Sequence, residues 1–372
     1  MQAGNYRTGQ QRFVLRKASQ ASLTMAEHIL TICIPSYRRL QQAMRTVRGL
    51  LPSVDGEHSR ILVLDNASPD DYAGAFRSDP ALSAAIDRGV LEISRNPTNI
   101  GMSANFLRAF EMARGEWLWL LSDDDEVEAD AIGRVLSAIR TVGDEYGFVK
   151  FGSTRRPAGP KNSIDDFEEF IDRNARSVDD FNDFIFISNG IYRLKDFRSI
   201  LEVGYKHAHT YVPHFMLMSA FMSRGGRMAI VNEEIVDYVV PEIGYSYGML
   251  AGLGVGGTKS LLFKLRPGYS KRFYSLFFPH NDFKVIIDLY FNCKRDATPE
   301  VYRYHARNYC HLVSVARSPL RVLMLRGFLE VGRVPAVFEF MLRTLGAKSA
   351  MLNKHLDEIK ARYGFLDGAL SE

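Results

Sequence analysis

Trp117-Leu118-Trp119-Leu120-Leu121-Ser122-Asp123-Asp124-Asp125 decides how this chain folds: an unbroken apolar run passes, with one serine between, into three adjacent carboxylates. A short continuous apolar run suits a strand buried on both faces of a parallel sheet, because neither face meets water. Similar runs lie upstream. Ile29–Ile34 is rich in β-formers and is expected to stop at Pro35. Ile61–Leu64 ends in Asp65-Asn66-Ala67-Ser68-Pro69-Asp70, a turn expected also to cap the next helix. Val90–Ser94 leads into Asn96-Pro97, and the spacing predicts helices over 40–51 and 103–114. This alternation predicts an α/β chain with a mostly parallel sheet flanked by helices. Ligands on such sheets sit beyond the carboxyl ends of the strands. Asp65 and Asp123–Asp125 both fall there.

Downstream, Phe148–Phe151, Phe184–Tyr192 and Met228–Tyr238 read as further strands, with a helix over His214–Ser223. Residues 154–182 look like a polar surface excursion, 243–260 are glycine-rich, and 282–366 read as helices. The expected organisation is a basic N-terminal arm over 1–26, a main domain over 27–260 and a helical C-terminal region over 261–372. The main domain divides into a nucleotide-binding half, 27–150, and an acceptor half, 151–260.

At 372 residues and 46% hydrophobic, the chain has material for a large core. Its formal charge of +4, without a lysine-rich run, predicts no nucleic-acid partner. Three scattered cysteines (Cys33, Cys293, Cys310) are too few for a disulfide framework and predict a reducing, cytoplasmic setting. Arg7, Arg12, Arg16 and Lys17 interrupt the N-terminus, and no uncharged apolar stretch reaches bilayer length, so a soluble or peripheral protein is expected.

Three neighbouring carboxylates at a buried strand end repel one another and raise each other's pKa unless a cation or donors compensate. One reading is a divalent ion shared with a ligand's phosphates, since Mg²⁺ or Mn²⁺ takes few protein carboxylates beside phosphate oxygens. The other is a helix N-terminus: Asp123 to Glu126 would favour the positive end of a helix starting near Ala129. Asp65, at a neighbouring strand end, favours the nucleotide cleft.

Four segments together resemble the family 2 glycosyltransferases. They are Ile32-Cys33-Ile34-Pro35-Ser36-Tyr37-Arg38-Arg39, Leu62–Ser68, Asn99-Ile100-Gly101 with Asn105, and Gly115–Asp125. The resemblance covers roughly 29–150 and implies the GT-A, Rossmann-like nucleotide-diphospho-sugar transferase fold. It implies that Pro35, Ser36, Tyr37, Arg39, Asp65, Asn99, Gly101, Asp123 and Asp124 line the nucleotide-sugar site. Asp125, with Asp123, would hold Mn²⁺ or Mg²⁺, which stabilises charge on a departing diphosphate. The implied donor is a UDP-, GDP- or dTDP-sugar, and the implied acceptor a hydroxyl of a glycan or lipid-linked sugar in bacterial surface polysaccharide assembly.

The resemblance also implies inversion, with a general base on the acceptor hydroxyl. The family's aspartate is expected about a dozen residues before an Arg-Gly turn. Counting back from Arg224-Gly225 reaches Pro213-His214, so His214 is the candidate base, set against a histidine that caps a helix or is paired in the core. A nucleotide-sugar-binding protein that has lost its base is the alternative function.

Weaker signals remain. Gly252-Leu253-Gly254-Val255-Gly256-Gly257 matches GxGxxG but lacks a preceding strand, which disfavours a dinucleotide-binding oxidoreductase. A lid bringing Lys259 to the diphosphate suits that loop better. A nucleotidyltransferase would need a glycine- and lysine-rich loop after the first strand, and none is seen there. His207 and His209 form a His-x-His that suits an exposed strand or loop better than a metal site. Arg303, Arg307, Arg317, Arg321, Arg326, Arg333 and Arg343 outnumber Glu330 and Glu339 among apolar residues. That pattern fits either an anionic membrane surface or a helical appendage with a solvated arginine face.

Overall fold

The protein's structure, a computed structural model, is described for residues 29–152, 163–174, 185–208, 212–237 and 319–331, together with 337, 340–342 and 344. The N-terminal arm, the glycine-rich loop with Lys259, His209 and most of the C-terminal region lie outside the described residues.

The first half alternates as its apolar runs predict. The elements are β1 (Leu30–Ser36), α1 (Leu40–Leu50), β2 (Ser59–Asp65), α2 (Tyr72–Ser78), α3 (Pro80–Asp87), β3 (Leu91–Arg95), α4 (Met102–Met112) and β4 (Trp117–Leu120). There follow β5 (Glu126–Val127), α5 (Ala131–Val142), β6 (Phe148–Gly152), β7 (Ser163–Ile164), β8 (Gly190–Arg193), β9 (Met228–Glu234) and β10 (Val236–Asp237). The main sheet runs β3-β2-β1-β4-β8-β6-β9-β7, and β10 pairs with β5 in a separate ribbon. β3, β2, β1 and β4 are mutually parallel, whereas β8 is antiparallel to both β4 and β6.

Alternation along each strand makes three layers. Leu30, Ile32 and Ile34 of β1, Ile61 and Val63 of β2, and Trp117 and Trp119 of β4 share one core with α1, α2, α3 and α5. Cys33, Leu62, Leu64, Leu118 and Leu120 face the other core, with α4 and the helices Phe167–Asn174 and Pro213–Ser223. The last of these is buried nearly all round, as a helix apolar on every side must be.

Four expectations are corrected. β1 does not stop at Pro35. The carbonyl of Cys33 accepts from Leu121 and that of Ser36 from Asn66, so Pro35 points its missing N–H toward the β4 side, past the last β1–β4 pair, Cys33↔Leu120. The helix after β2 is capped by Asp71, whose side chain accepts from Gly74 N, rather than by the 65–70 turn. Residues 187–189 form a 3-10 turn where a strand was expected, leaving only Gly190–Arg193 in the sheet. Within the supposed surface excursion, Ile164, Phe167, Phe170 and Ile171 are core residues.

Candidate active site

β1, β2 and β4 end together, and their last residues meet. Ser36 pairs in register with Asp65, and its hydroxyl donates to Asp123 Oδ2 at 2.6 Å. Ser36 therefore joins the two acidic strand ends. Tyr72, with its hydroxyl 2.7 Å from Ser36 Oγ, supplies the proton that leaves the Ser36 hydroxyl free to donate onward. The backbone N–H of Arg39 donates to the same tyrosine oxygen at 3.2 Å. Arg39 Nη1 reaches Asp123 at 2.9 Å and Asp124 at 2.7 Å. Burial pushes the Asp123 carboxyl above its ordinary range, and the bonds from Ser36 and Arg39 only partly oppose this. Burial alone would lower the Arg39 pKa, but Asp123 and Asp124 more than offset it and hold the guanidinium charged.

The acids do not begin a helix. The helix that follows starts at Ala131 behind Asp130, and Glu126–Val127 pairs instead with Val236–Asp237. The helix-terminus reading of Asp123 to Glu126 is thereby overturned. Asp124 accepts from Ser122 Oγ at 2.5 Å, and Asp125 Oδ2 accepts from Ser188 Oγ at 2.5 Å. Thr46 on α1 donates to the carbonyl of Asp123 at 3.0 Å.

Asp65 is fully buried. Its Oδ1 accepts from Ser68 N at 2.9 Å, and its Oδ2 holds Arg95 Nη1 at 2.5 Å. The Ser68 hydroxyl accepts from Arg38 N at 2.9 Å, linking the loops after β1 and β2. Both loops carry a residue other than glycine in the left-handed region, Arg38 at φ 57° and Ala67 at φ 58°, a conformation that surrounding contacts must hold. Behind them lies a ladder of asparagines. Asn66 Nδ2 donates to Asn99 at 2.9 Å, and Asn96 Nδ2 donates to Asn66 at 3.0 Å and to Asn105 at 2.8 Å. Gly101, at φ 83°, ends this loop with its N–H on Asn99 at 2.9 Å. Tyr37 lies beside the Arg38 guanidinium, 5.2 Å from the ring centre.

His214 bonds the backbone just before the 187–189 turn rather than an acid. Its ring is 2% exposed, with Nε2 donating to the Ile185 carbonyl at 2.8 Å and Nδ1 without a partner. Burial lowers its pKa to about 4, so the ring is neutral at physiological pH. His207 is buried, with Nδ1 donating to the Val203 carbonyl at 2.8 Å as its helix ends.

Tyr72, Arg95 and Ser188 went unnoticed in the sequence. Arg95 ends β3 in register with Asp65, a charged residue closing a strand, but Tyr72 and Ser188 carry no local signal.

The large, mostly parallel sheet flanked by helices has the GT-A fold. Residues 31–222 match the family model for Glycosyl transferase family 2, and the chain belongs to that family. Abequosyltransferase RfbV of Salmonella typhimurium is 22% identical over 230 residues, 56% of this chain and 66% of that protein. The uncharacterized protein MT1568 of Mycobacterium tuberculosis is 28% identical over 115 residues, 31% of this chain and 34% of that one. The chain thus matches a third to two thirds of the length of these curated relatives. Among solved structures, residues 1–349 of S. aureus TarS align with a TM-score of 0.52 at 13% identity, covering 84% of this chain and 89% of that one. The same TarS region has also been solved with UDP-GlcNAc. At that identity the likeness is one of fold.

Proposed function

We propose that this protein moves a sugar, with inversion, from a nucleoside diphosphate donor to a hydroxyl of a glycan or lipid-linked acceptor in surface polysaccharide assembly. The observation that carries the reading is the meeting of Asp65 and Asp123 across Ser36 at the carboxyl ends of neighbouring strands. In this reading Pro35, Ser36, Tyr37 and Asp65 hold the nucleoside, and Asp123 lies toward the ribose. Asn99 and Gly101 shape the loop beside it, and Arg39 with Asp124 balances charge at the mouth.

Asp125 and Asp123 fit a hard divalent ion by their chemistry. Among the described residues no group of three or more His, Cys, Asp and Glu side chains is arranged to hold a metal alone. Mn²⁺ or Mg²⁺ would keep water and phosphate oxygens as most of its ligands. When bound, the ion supplies electrostatic stabilisation of the leaving diphosphate.

His214 is the proposed proton acceptor. It is neutral, Nδ1 keeps a lone pair, and a pKa of about 4 gives it the basicity of an ordinary carboxylate. Its burial favours a second reading, in which it only supports the 185–189 segment through Ile185. His214→Ala separates the two: loss of a base lowers kcat steeply with donor KM nearly kept, whereas loss of a support lowers thermal stability and leaves kcat close to wild type.

The exposed apolar side chains of Leu320, Leu323 and Met324 on the helix Pro319–Val331, with Phe340 beyond, support docking on an anionic membrane surface. The surrounding sequence is rich in arginine and poor in acids. No helix among the described residues is long and apolar enough to cross a membrane.

The test is a panel of UDP-, GDP- and dTDP-sugars with Mn²⁺ or Mg²⁺, scored by thermal shift and then by nucleoside diphosphate release. Stabilisation with release supports the transferase. Stabilisation without release from any donor, acceptors supplied, supports a binding protein. No response to any donor overturns both.

A further inference from the structure

The three acids after β4 are held differently, and the difference points to a residue on a distant element. Asp123 and Asp124 are held by Arg39, Ser36 and Ser122, all from the first half of the chain. Asp125 is held by Ser188, 63 positions away in the 3-10 turn Ile187–Asn189 and fully buried.

Ser188 is itself fixed on several sides. Ser122 N donates to its Oγ at 3.0 Å, which leaves the hydroxyl proton to be given to Asp125. The Trp119 indole donates to the Ser188 carbonyl at 2.7 Å, from a ring with no exposure. The next residue, Asn189, accepts from the buried Lys150 of β6. Before the turn, the Ile185 carbonyl takes the His214 Nε2–H. Partners on β4, β6 and the helix Pro213–Ser223 therefore fix the turn that carries one hydroxyl, and that hydroxyl bonds one oxygen of the Asp125 carboxylate.

We infer that Ser188 is a positioning residue for Asp125, fixing the rotamer in which that carboxylate serves a divalent ion at the diphosphate. The inference rests on the donor-site reading above. A short, charge-assisted bond in a water-poor setting holds a side chain more firmly than a neutral one does. Loss of a group that orients a metal ligand usually costs 10- to 100-fold in metal affinity. The acceptor half would in this way act on donor binding.

The experiment measures Mn²⁺ binding by the electron paramagnetic resonance signal of the free ion, with UDP, GDP and dTDP supplied in turn. Ser188→Ala is expected to weaken nucleotide-dependent Mn²⁺ binding by about 10- to 100-fold. Nucleotide affinity without metal should stay at the wild-type value, and kcat at saturating Mn²⁺ should fall far less than the apparent metal affinity. Ser188→Thr keeps the hydroxyl and is expected to recover most of the binding. Ser219→Ala, which removes a buried hydroxyl that has no partner, controls for buried serines in general. Thermal melts of every variant separate misfolding from a changed site. Wild-type Mn²⁺ affinity in a folded Ser188→Ala protein overturns the inference alone, as does an equal loss of metal-free nucleotide affinity. Wild-type protein that binds no Mn²⁺ with any nucleotide overturns the donor reading and the inference with it.

Discussion

Arg39 holds Asp123 and Asp124 at once, while burial pushes the Asp123 proton affinity upward. Removing the guanidinium should raise that affinity further. Arg39→Met is therefore expected to move the acidic limb of nucleotide-dependent metal binding to higher pH, which thermal shift across the acidic range will register. Asp125→Ala should abolish nucleoside diphosphate release in the same donor panel. His214 gives a separate pH signature. Its folded pKa, about 4, lies below the unfolded imidazole value, so its contribution is fully present above the unfolded pKa. That contribution is lost as pH falls toward about 4, and is worth roughly 3 kcal/mol at 1.36 kcal/mol per unit. Urea titrations of His214→Gln should show a shallower acid loss of stability than the wild type over that window. An identical slope would mean that the ring is not buried neutral.

At the scale of elements, the apolar runs were legible because β1, β2 and β4 are buried on both faces, leaving hydrophobic side chains at nearly every position, while the edge strand β3 is only partly covered. Asp65 and Asp123–Asp125 were legible because they end such runs. Three features were hidden by tertiary context. Pro35 continues a strand because its missing N–H falls beyond the last pair with β4. Phe167, Phe170 and Ile171 lie among charged neighbours, and only the core they join gives them meaning. Ser188 and Arg95 act on acids 63 and 30 positions away, a distance at which no local pattern survives. The asparagine ladder belongs to this scale too, since it braces the loop between β3 and α4 against the one after β2. Asn96→Ala leaves the buried Asn105 Oδ1 without that donor, which should cost about 1–3 kcal/mol in urea unfolding. It should also raise donor KM, because the Asn66–Asn99 contact loses its neighbour.

At the scale of the molecule, the sheet divides the labour. Its all-parallel half carries the acids, and the turn that holds the last of them leads into β8, the strand at which the sheet becomes mixed. The exposed apolar side chains, by contrast, gather on the C-terminal helix, whose buried residues Val322 and Phe328 join the α4-side core. Replacing Leu323 and Phe340 with aspartate should release the protein from vesicles rich in anionic lipid in a flotation assay, with donor thermal shifts unchanged. Retained flotation would remove this face from membrane docking.

The ribbon of Glu126–Val127 with Val236–Asp237 has a consequence of its own. It fastens the residue right after the last acid to the point where the polypeptide leaves for its C-terminal third. A change of geometry at Val236–Asp237 would therefore reach the residue beside Asp125 through one short pair of backbone rungs.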